Sequence, residues 1–393
     1  MGEIRVGVIG CGSIAEIAHF PRIKENPETE LVAVCDIDVK KAEEVARKWE
    51  AKSWYTDYNR MFAEEKLDAV VISSPPKFHW EQGLAAAEAN VHTLIEKPMA
   101  VTNMEARDLV KAFEKTDKKL MVGCDRRYWL QSQWTKELIE EGVIGKVYFG
   151  RSTMHEGWPL YQGKLAHTGF RLDPALSGGA AIADTGAHAI DLLVWLMGSP
   201  VKRVVGIAKR VATSAEYSKC DDLALILMEH ENGTYSQVSC NRFSPVASYF
   251  AECYGDEGTI YLGSDSTNPY QSVPMAVYTH KDYEEEDLPD ILRKYRWPHL
   301  FWAEDMITHP VEKRWVPIIP PRIPNNYQRL WRHFIDCILN DKEPLTKGAD
   351  GAHAVEVMCA VHKSMETGAW VELPLTEEVV PPGYESNRRG GLG

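Results

Sequence analysis

Ile4-Arg5-Val6-Gly7-Val8-Ile9-Gly10-Cys11-Gly12-Ser13-Ile14-Ala15 is the stretch that decides the fold of this 393-residue chain. Its first six residues form a short apolar run of the kind that fills a buried parallel strand. The run passes straight into G-x-G-x-x-A, a pattern that opens a helix. Such a turn sets backbone N–H groups and a helix N-terminus against a pyrophosphate. Gly10 makes the tight turn, Gly12 admits the diphosphate to the main chain, and Ala15 lets the helix lie close to the sheet; Ser13 and Ile14 complete the turn. A second apolar run, 30–35, ends at Asp36, where a dinucleotide-binding fold hydrogen-bonds the adenosine ribose. Asp36-Ile37-Asp38 places two carboxylates there with no arginine directly after the first. A 2′-phosphate would meet like charge, so NAD is expected rather than NADP. Asp38 is also placed to cap the next helix.

Strand and helix patterns alternate up to Cys124, with further strands expected at 53–55, 69–73, 91–95 and 120–123. This is the rhythm of a doubly wound parallel α/β domain, whose ligand lies at the carboxyl ends of the strands. Beyond Arg126 the rhythm changes. A helix at 131–140 and a strand at 147–154 precede a loop and a second helix beginning near Gly179. Strands then follow one another at 204–210, 223–229, 235–241, 247–254 and 258–262. That order describes an α+β domain with a large, mainly antiparallel open sheet. The expected organisation is a nucleotide-binding domain over 1–125, a substrate and oligomerisation domain over 126–375, and a fraying Pro/Gly/Arg tail over 376–393. The helices within 327–367 are placed where they could pack back on the first domain. Residues 264–326 read as irregular and rich in aromatics, among them Trp297, Trp302 and Trp315.

The bulk composition excludes several classes. Net charge is −13, from 44 basic against 57 acidic residues, and no basic run occurs. Nucleic acid and anionic membrane surfaces are therefore not expected partners. No apolar run in the sequence has the length of a membrane span, and the first apolar run already belongs to the nucleotide site. Eight cysteines are scattered without a C-x-x-C pair, which suits reduced thiols in the cytoplasm and neither a disulfide nor a zinc framework.

Two further motifs carry chemistry. Glu96-Lys97-Pro98 follows the strand at 91–95. Gly178-Gly179-Ala180-Ala181-Ile182-Ala183-Asp184-Thr185-Gly186-Ala187-His188-Ala189-Ile190-Asp191 opens the helix of the second domain. Lys97, at a strand's carboxyl end, can project an ammonium into the crevice and stabilise alkoxide character on a substrate oxygen. Asp184 and His188, at i and i+4, share one helix face. A carboxylate there can orient the imidazole while it takes a proton. No third ligand at suitable spacing accompanies them, so no metal is expected. Asp191 is read as support for the helix.

Together with the glycine turn, Phe334-Ile335-Asp336-Cys337-Ile338-Leu339, Lys342-Glu343-Pro344 and the Ser364…Thr367-Gly368 ending, these motifs resemble the Gfo/Idh/MocA family of glucose–fructose oxidoreductase, inositol dehydrogenase and related sugar dehydrogenases. The resemblance covers nearly the whole chain. It implies Lys97, Asp184 and His188 as a catalytic trio, a cis Lys97–Pro98 bond, NAD as cofactor, and homodimers or homotetramers formed through the open sheet. It also implies cofactor contacts from Ser74, Pro75, His79, Glu96, Lys97 and Arg126. The family's usual Thr-Pro-Asn is here Ser74-Pro75-Pro76, which removes an amide.

The substrate side is expected to use Lys97, Asp184, His188 and Arg127, with His155, Trp158, Tyr161, Lys164, His167 and Arg171 from the loop 155–171. Aromatic faces there suit sugar C–H surfaces, and cations suit hydroxyl or anionic groups. The expected activity is NAD-dependent oxidation of a secondary hydroxyl on a sugar, cyclitol or sugar derivative. Its rivals are a redox-neutral, NAD-retaining glycosidase acting on a glycoside, anionic ones included, and a non-catalytic NAD- and sugar-binding regulator.

Overall fold

In the computed structural model, which describes residues 4–157, 169–244, 247–263, 273–284, 286–296, 315–321 and 325–388, β1 (Ile4–Ile9) lies at the centre of a six-stranded parallel sheet. The order is β3-β2-β1-β4-β5-β6, with β2 (Thr29–Cys35), β3 (Ser53–Tyr55), β4 (Ala69–Ile72), β5 (His92–Ile95) and β6 (Leu120–Val122). Val8 pairs with Val34 on one side and Val71 on the other, and all three are fully buried. The strand order reverses between β1 and β4, which opens a crevice at their carboxyl ends. The helix after the glycine turn starts as a π-turn, Ala15–His19, before α1 (Phe20–Glu25). Asp38 caps α2 (Val39–Trp49), accepting from Lys40 N at 3.0 Å and Lys41 N at 3.3 Å.

The second sheet has nine strands in the order β14-β13-β12-β11-β7-β10-β9-β8-β15. They are β7 (Val147–His155), β8 (Val201–Lys209), β9 (Leu223–His230), β10 (Tyr235–Asn241), β11 (Ser248–Gly255), β12 (Gly258–Gly263), β13 (Met275–Thr279), β14 (Trp315–Ile318) and β15 (Val371–Glu372). All pairs are antiparallel except the central one, where β10 runs parallel to β7. A parallel pair needs a crossover, and here the crossover contains α7 (Pro174–Ser177), a π-turn (Ala181–Gly186), α8 (Ala187–Met197) and the hairpin of β8 and β9. The segment read as irregular contributes β13, α9 (Asp290–Tyr295) and β14 to the sheet edge.

One face of this sheet is packed and the other is open. On β10, Ser236, Val238 and Cys240 are buried, whereas Tyr235 and Gln237 are exposed. The inner face meets α8 and α11 (Gly348–Thr367): Leu193, Ile226, Val238, Val357 and Val361 share one core. By length and composition the helical stretch Pro174–Met197 could span a membrane, which the sequence reading did not anticipate. Here 78 % of its apolar window is buried inside the protein, as a core helix would be.

After the sheet the chain returns to the first unit. α10 (Asn326–Leu339) starts with a capping box between Asn325 and Gln328. Its apolar stripe, Leu330, Trp331, Phe334 and Ile335, packs with Ile4, Val6, Val8 and Phe20. The tail, expected to fray, is fastened down to residue 388. Tyr384 donates its hydroxyl to Glu105 at 2.9 Å, Asn387 Nδ2 donates to Lys77 O at 2.5 Å, and Arg388 Nε to Asp108 at 2.6 Å. The physical reason is Glu105, buried in the first turn of α5 (Asn103–Phe113), which gathers donors from Val101, Thr102 and Asn387.

Candidate active site

A cleft of about 650 Å³ runs along the carboxyl ends of β1, β2, β4 and β5 and reaches the π-turn and α8 of the second unit. Gly10, Gly12, Ser13, Ile14, Asp36, Ser74, Pro75, Glu96, Lys97, Arg171, Asp184 and His188 all line it. At Gly10, φ is +90° and a Cβ would come 2.5 Å from Ser74 N, so only glycine fits. At Gly12 a Cβ would meet nothing within 4 Å, leaving the main chain open to the cleft. Asp36 Oδ2 accepts from Cys11 N at 2.8 Å and Oδ1 from Asp38 N at 3.0 Å. That fixes a carboxylate at the ribose end with acceptor capacity to spare. Lys41 Nζ stands 3.7 Å from Asp36 Oδ2, so a cation is present that the sequence reading missed. A glycine cradle, an open approach and a fixed acceptor fit a dinucleotide such as NAD.

The charged groups meet at the other end. Lys97 Nζ donates to Asp184 Oδ1 at 2.6 Å and Asp184 O at 3.1 Å. Asp184 Oδ2 accepts from Arg171 Nε at 2.9 Å and Arg242 Nη1 at 2.7 Å. Burial would push this carboxyl up, but Lys97, Arg171 and Arg242 hold it well below the usual range. No side-chain hydrogen bond or ion pair joins Asp184 to His188 among the described residues, although both line the cleft. The carboxylate facing His188 is Asp125, with Oδ1 at 3.1 Å from Nδ1. Burial first, then Lys97, keeps the His188 imidazole below its ordinary pKa, so its neutral form prevails at neutral pH. Asp125, despite its burial, is held low by Arg126 and His188.

Backbone geometry explains the paired glycines of the second motif. Asp221 accepts from Ala180 N at 2.9 Å and Ile182 N at 2.7 Å, anchoring the start of the π-turn. Gly179 has φ of +141°, and a Cβ there would come 2.8 Å from Asp221 Oδ1. Glu96 is oriented from behind. Trp331 donates to His19 Nδ1 at 3.2 Å, so the ring's proton is on Nε2, which donates to Glu96 Oε1 at 3.1 Å. The Lys97–Pro98 peptide is cis.

Several expected contacts are elsewhere. Arg127 does not face the cleft. It is buried with Asp191, at 2.9 Å and 2.6 Å, and it also donates to Leu345 O and Asp350. Arg126 stacks on Trp129, 3.9 Å from the ring centre, outside the cleft lining. His79 is buried behind the loop, its ring nitrogens 2.9 Å from Pro98 O and 2.8 Å from Ser74 O; it braces the wall. His155 lies on the open face of the sheet, hydrogen-bonded to Ser239 at 3.0 Å. Strand alternation sets it opposite the buried Met154. Trp158, Tyr161, Lys164, His167, Trp297 and Trp302 lie outside the described residues, and Trp315 is exposed on β14. The sequence reading missed Asp125, Arg242, Asp221 and Glu156. Asp125 and Arg242 each follow a strand's carboxyl end, a position that could have flagged them; Asp221 carries no such signal.

Fold and cleft together define a dinucleotide-dependent oxidoreductase class. Residues 4–124 match the oxidoreductase family model described as an NAD-binding Rossmann fold. Residues 132–261 match the GFO/IDH/MocA C-terminal domain. The chain belongs to the GFO/IDH/MocA family. It is 31 % identical over 207 residues to the D-glucoside 3-dehydrogenase of Escherichia coli (strain K12), a match spanning 51 % of this chain and only 56 % of that one. It is 25 % identical over 375 residues to the scyllo-inositol 2-dehydrogenase (NAD(+)) of Bacillus subtilis (strain 168), covering 94 % and 96 % of the two chains. The fold is that of a levoglucosan dehydrogenase solved with NADH and levoglucosan, with a TM-score of 0.78, 22 % identity, and coverage of 95 % and 100 %.

Proposed function

We propose that the protein is an NAD-dependent dehydrogenase acting on a secondary hydroxyl of a sugar, cyclitol or sugar derivative. The observation that carries this reading is that one cleft holds the glycine cradle at one end and Lys97 with His188 at the other. Bound NAD supplies the hydride acceptor. The chain's own residues manage the proton and the developing charge. Lys97, held through its ion pair with Asp184, donates to the substrate oxygen, and neutral His188 receives the hydroxyl proton. The family relatives named for sugar and inositol oxidation support the substrate class.

Lys97→Ala is expected to lower kcat by roughly 10²–10³, the scale for one lost oxyanion donor, while NAD affinity stays near that of the unmodified protein. The test is a panel of sugars, inositols and glycosides followed by NADH absorbance, with NAD binding by fluorescence. A protein that binds NAD yet forms NADH with no member of the panel would defeat the reading.

The open sheet face supports self-association. Ile207, Leu225, Leu227 and Tyr235 are exposed on it across adjacent strands, a contiguous apolar patch of the kind that marks an interface. We take the protein to be a homodimer or homotetramer; light scattering at micromolar concentration checks this, and a monomer contradicts it. All eight thiols are free and buried, which supports a cytoplasmic setting.

A further inference from the structure

His188 lines the cleft while its Nδ1 faces inward, 3.1 Å from Asp125 Oδ1. Both atoms are shut off from solvent, and neither has a well-directed hydrogen-bond partner among the described residues. A buried carboxylate oxygen and a ring nitrogen left this close are reconciled by a proton on Nδ1 directed at the carboxylate. Nε2 is then the only ring atom able to take a proton. Asp125 is itself fixed: it is buried, and Oδ2 accepts from Asn326 Nδ2 at 2.5 Å. Asn326 is the first residue of α10, so the carboxylate is held from the first unit while it faces His188 of the second.

We infer that Asp125 is the positioning residue of the proton-transfer step, fixing the tautomer of His188 and balancing the imidazolium that forms there. This rests on the reading of His188 as the base. In the step, the substrate hydroxyl proton moves from oxygen to Nε2, the Nδ1 proton stays in place, and Asp125 remains ionised throughout. Asp184 is excluded from this role by its own partners, Lys97, Arg171 and Arg242.

The charged and titratable groups around the imidazole fix the direction of the pH effect. Lys97 faces it from the end of β5, Asp125 and Arg126 from the end of β6, and Asp191 from one turn further along α8. Tyr327 of α10 interacts with Asp125. Asp125 raises the affinity of His188 for a proton, and Lys97 and Arg126 lower it. Without the Asp125 carboxylate the cations are opposed less, so the imidazole releases its proton more readily.

The experiment compares the unmodified protein with Asp125→Asn and Asp125→Glu. Asp125→Asn should lower kcat by about 10²–10³, with KM and NAD affinity little changed. It should also move the acid limb of the profile to lower pH. Asp125→Glu, which keeps the charge, should recover part of kcat and return the limb toward its original position. In imidazole-¹⁵N spectra, with His188 assigned through His188→Gln, the unmodified protein should carry its proton on Nδ1 and Asp125→Asn should lose that preference. Unaltered kcat and acid limb in Asp125→Asn, or an unprotonated Nδ1 in the unmodified protein, would overturn the inference. The spectrum reads the pair without turnover, so it decides the inference even if Asp125→Asn does not fold. Lack of any dehydrogenase activity in the unmodified protein counts against the functional reading instead.

Discussion

Replacing His188 by alanine is expected to lower kcat by about 10²–10⁴, the range for a lost general base. The same change should remove the acid limb of the pH–rate profile. The sign follows from the environment. Burial and the Lys97 ammonium push the imidazole below its ordinary value of 6.5, so the proton-accepting form prevails at neutral pH. Rate is retained above the shifted pKa and lost as pH falls through it; the limb should therefore lie below 6.5. His188 is at the opposite end of the cleft from the glycine cradle, so NAD affinity should hold. The measurement is kcat/KM across pH for both proteins, with NAD binding by fluorescence. An alanine variant that keeps the limb would show that another group accepts the proton.

The second large effect is on stability. Asp184 neutralises three cations, and one of them, Arg242, is almost completely buried. Asp184→Ala removes a carboxylate from Arg242, which keeps its pairing with Glu156 at 3.0 Å, and sets Lys97 and Arg171 near it without a shared counter-charge. Removing one member of a buried charge cluster costs on the order of 3–5 kcal/mol. Denaturant unfolding should register that loss, and activity should fall with it because Lys97 is no longer held. Lys97→Met removes one of the stranded charges, so the double variant should lose less stability than the two single losses summed. Simple additivity would mean that the pair contributes nothing in solution.

What was legible in the sequence was local. The turn at Gly10–Ala15 and the carboxylate at Asp36 are each specified by a few neighbouring residues, and the structure sets both on the cleft. Lys97, Asp184 and His188 were legible because their motifs are contiguous. Their pairing was not, since Asp125 and Arg242 arrive from separate strand ends, a position that marks them as cleft candidates without saying which groups they meet. Helical spacing correctly gave Asp184 and His188 one face, yet sharing a face did not make them partners. His155 was read as the first residue of a loop, whereas the strand runs one residue further and carries it onto the open face of the sheet. Arg127 and Arg126 stand side by side in the sequence, and partners distant in the chain, Asp191, Leu345 O and Asp350, draw Arg127 into the core. The tail's Pro/Gly/Arg composition suggested fraying, whereas the buried carboxylate of Glu105 supplies an anchor that composition cannot reveal.

The return of α10 onto the first sheet bears on how the halves of such a protein can be inherited. Leu330, Trp331, Phe334 and Ile335 come from beyond the second sheet, yet they fill the core built around Ile4, Val6 and Val8. Each such side chain is worth roughly 1.5–3 kcal/mol when fully buried, a sum comparable to the net stability of a whole domain. Trp331 also donates to the histidine that orients Glu96. A recombination joining the first 125 residues of one relative to the remainder of another would therefore carry half of a core and half of a hydrogen-bond relay from different ancestors. The nucleotide-binding half is contiguous in space and divided in sequence, and exchange between relatives would have to preserve both pieces together.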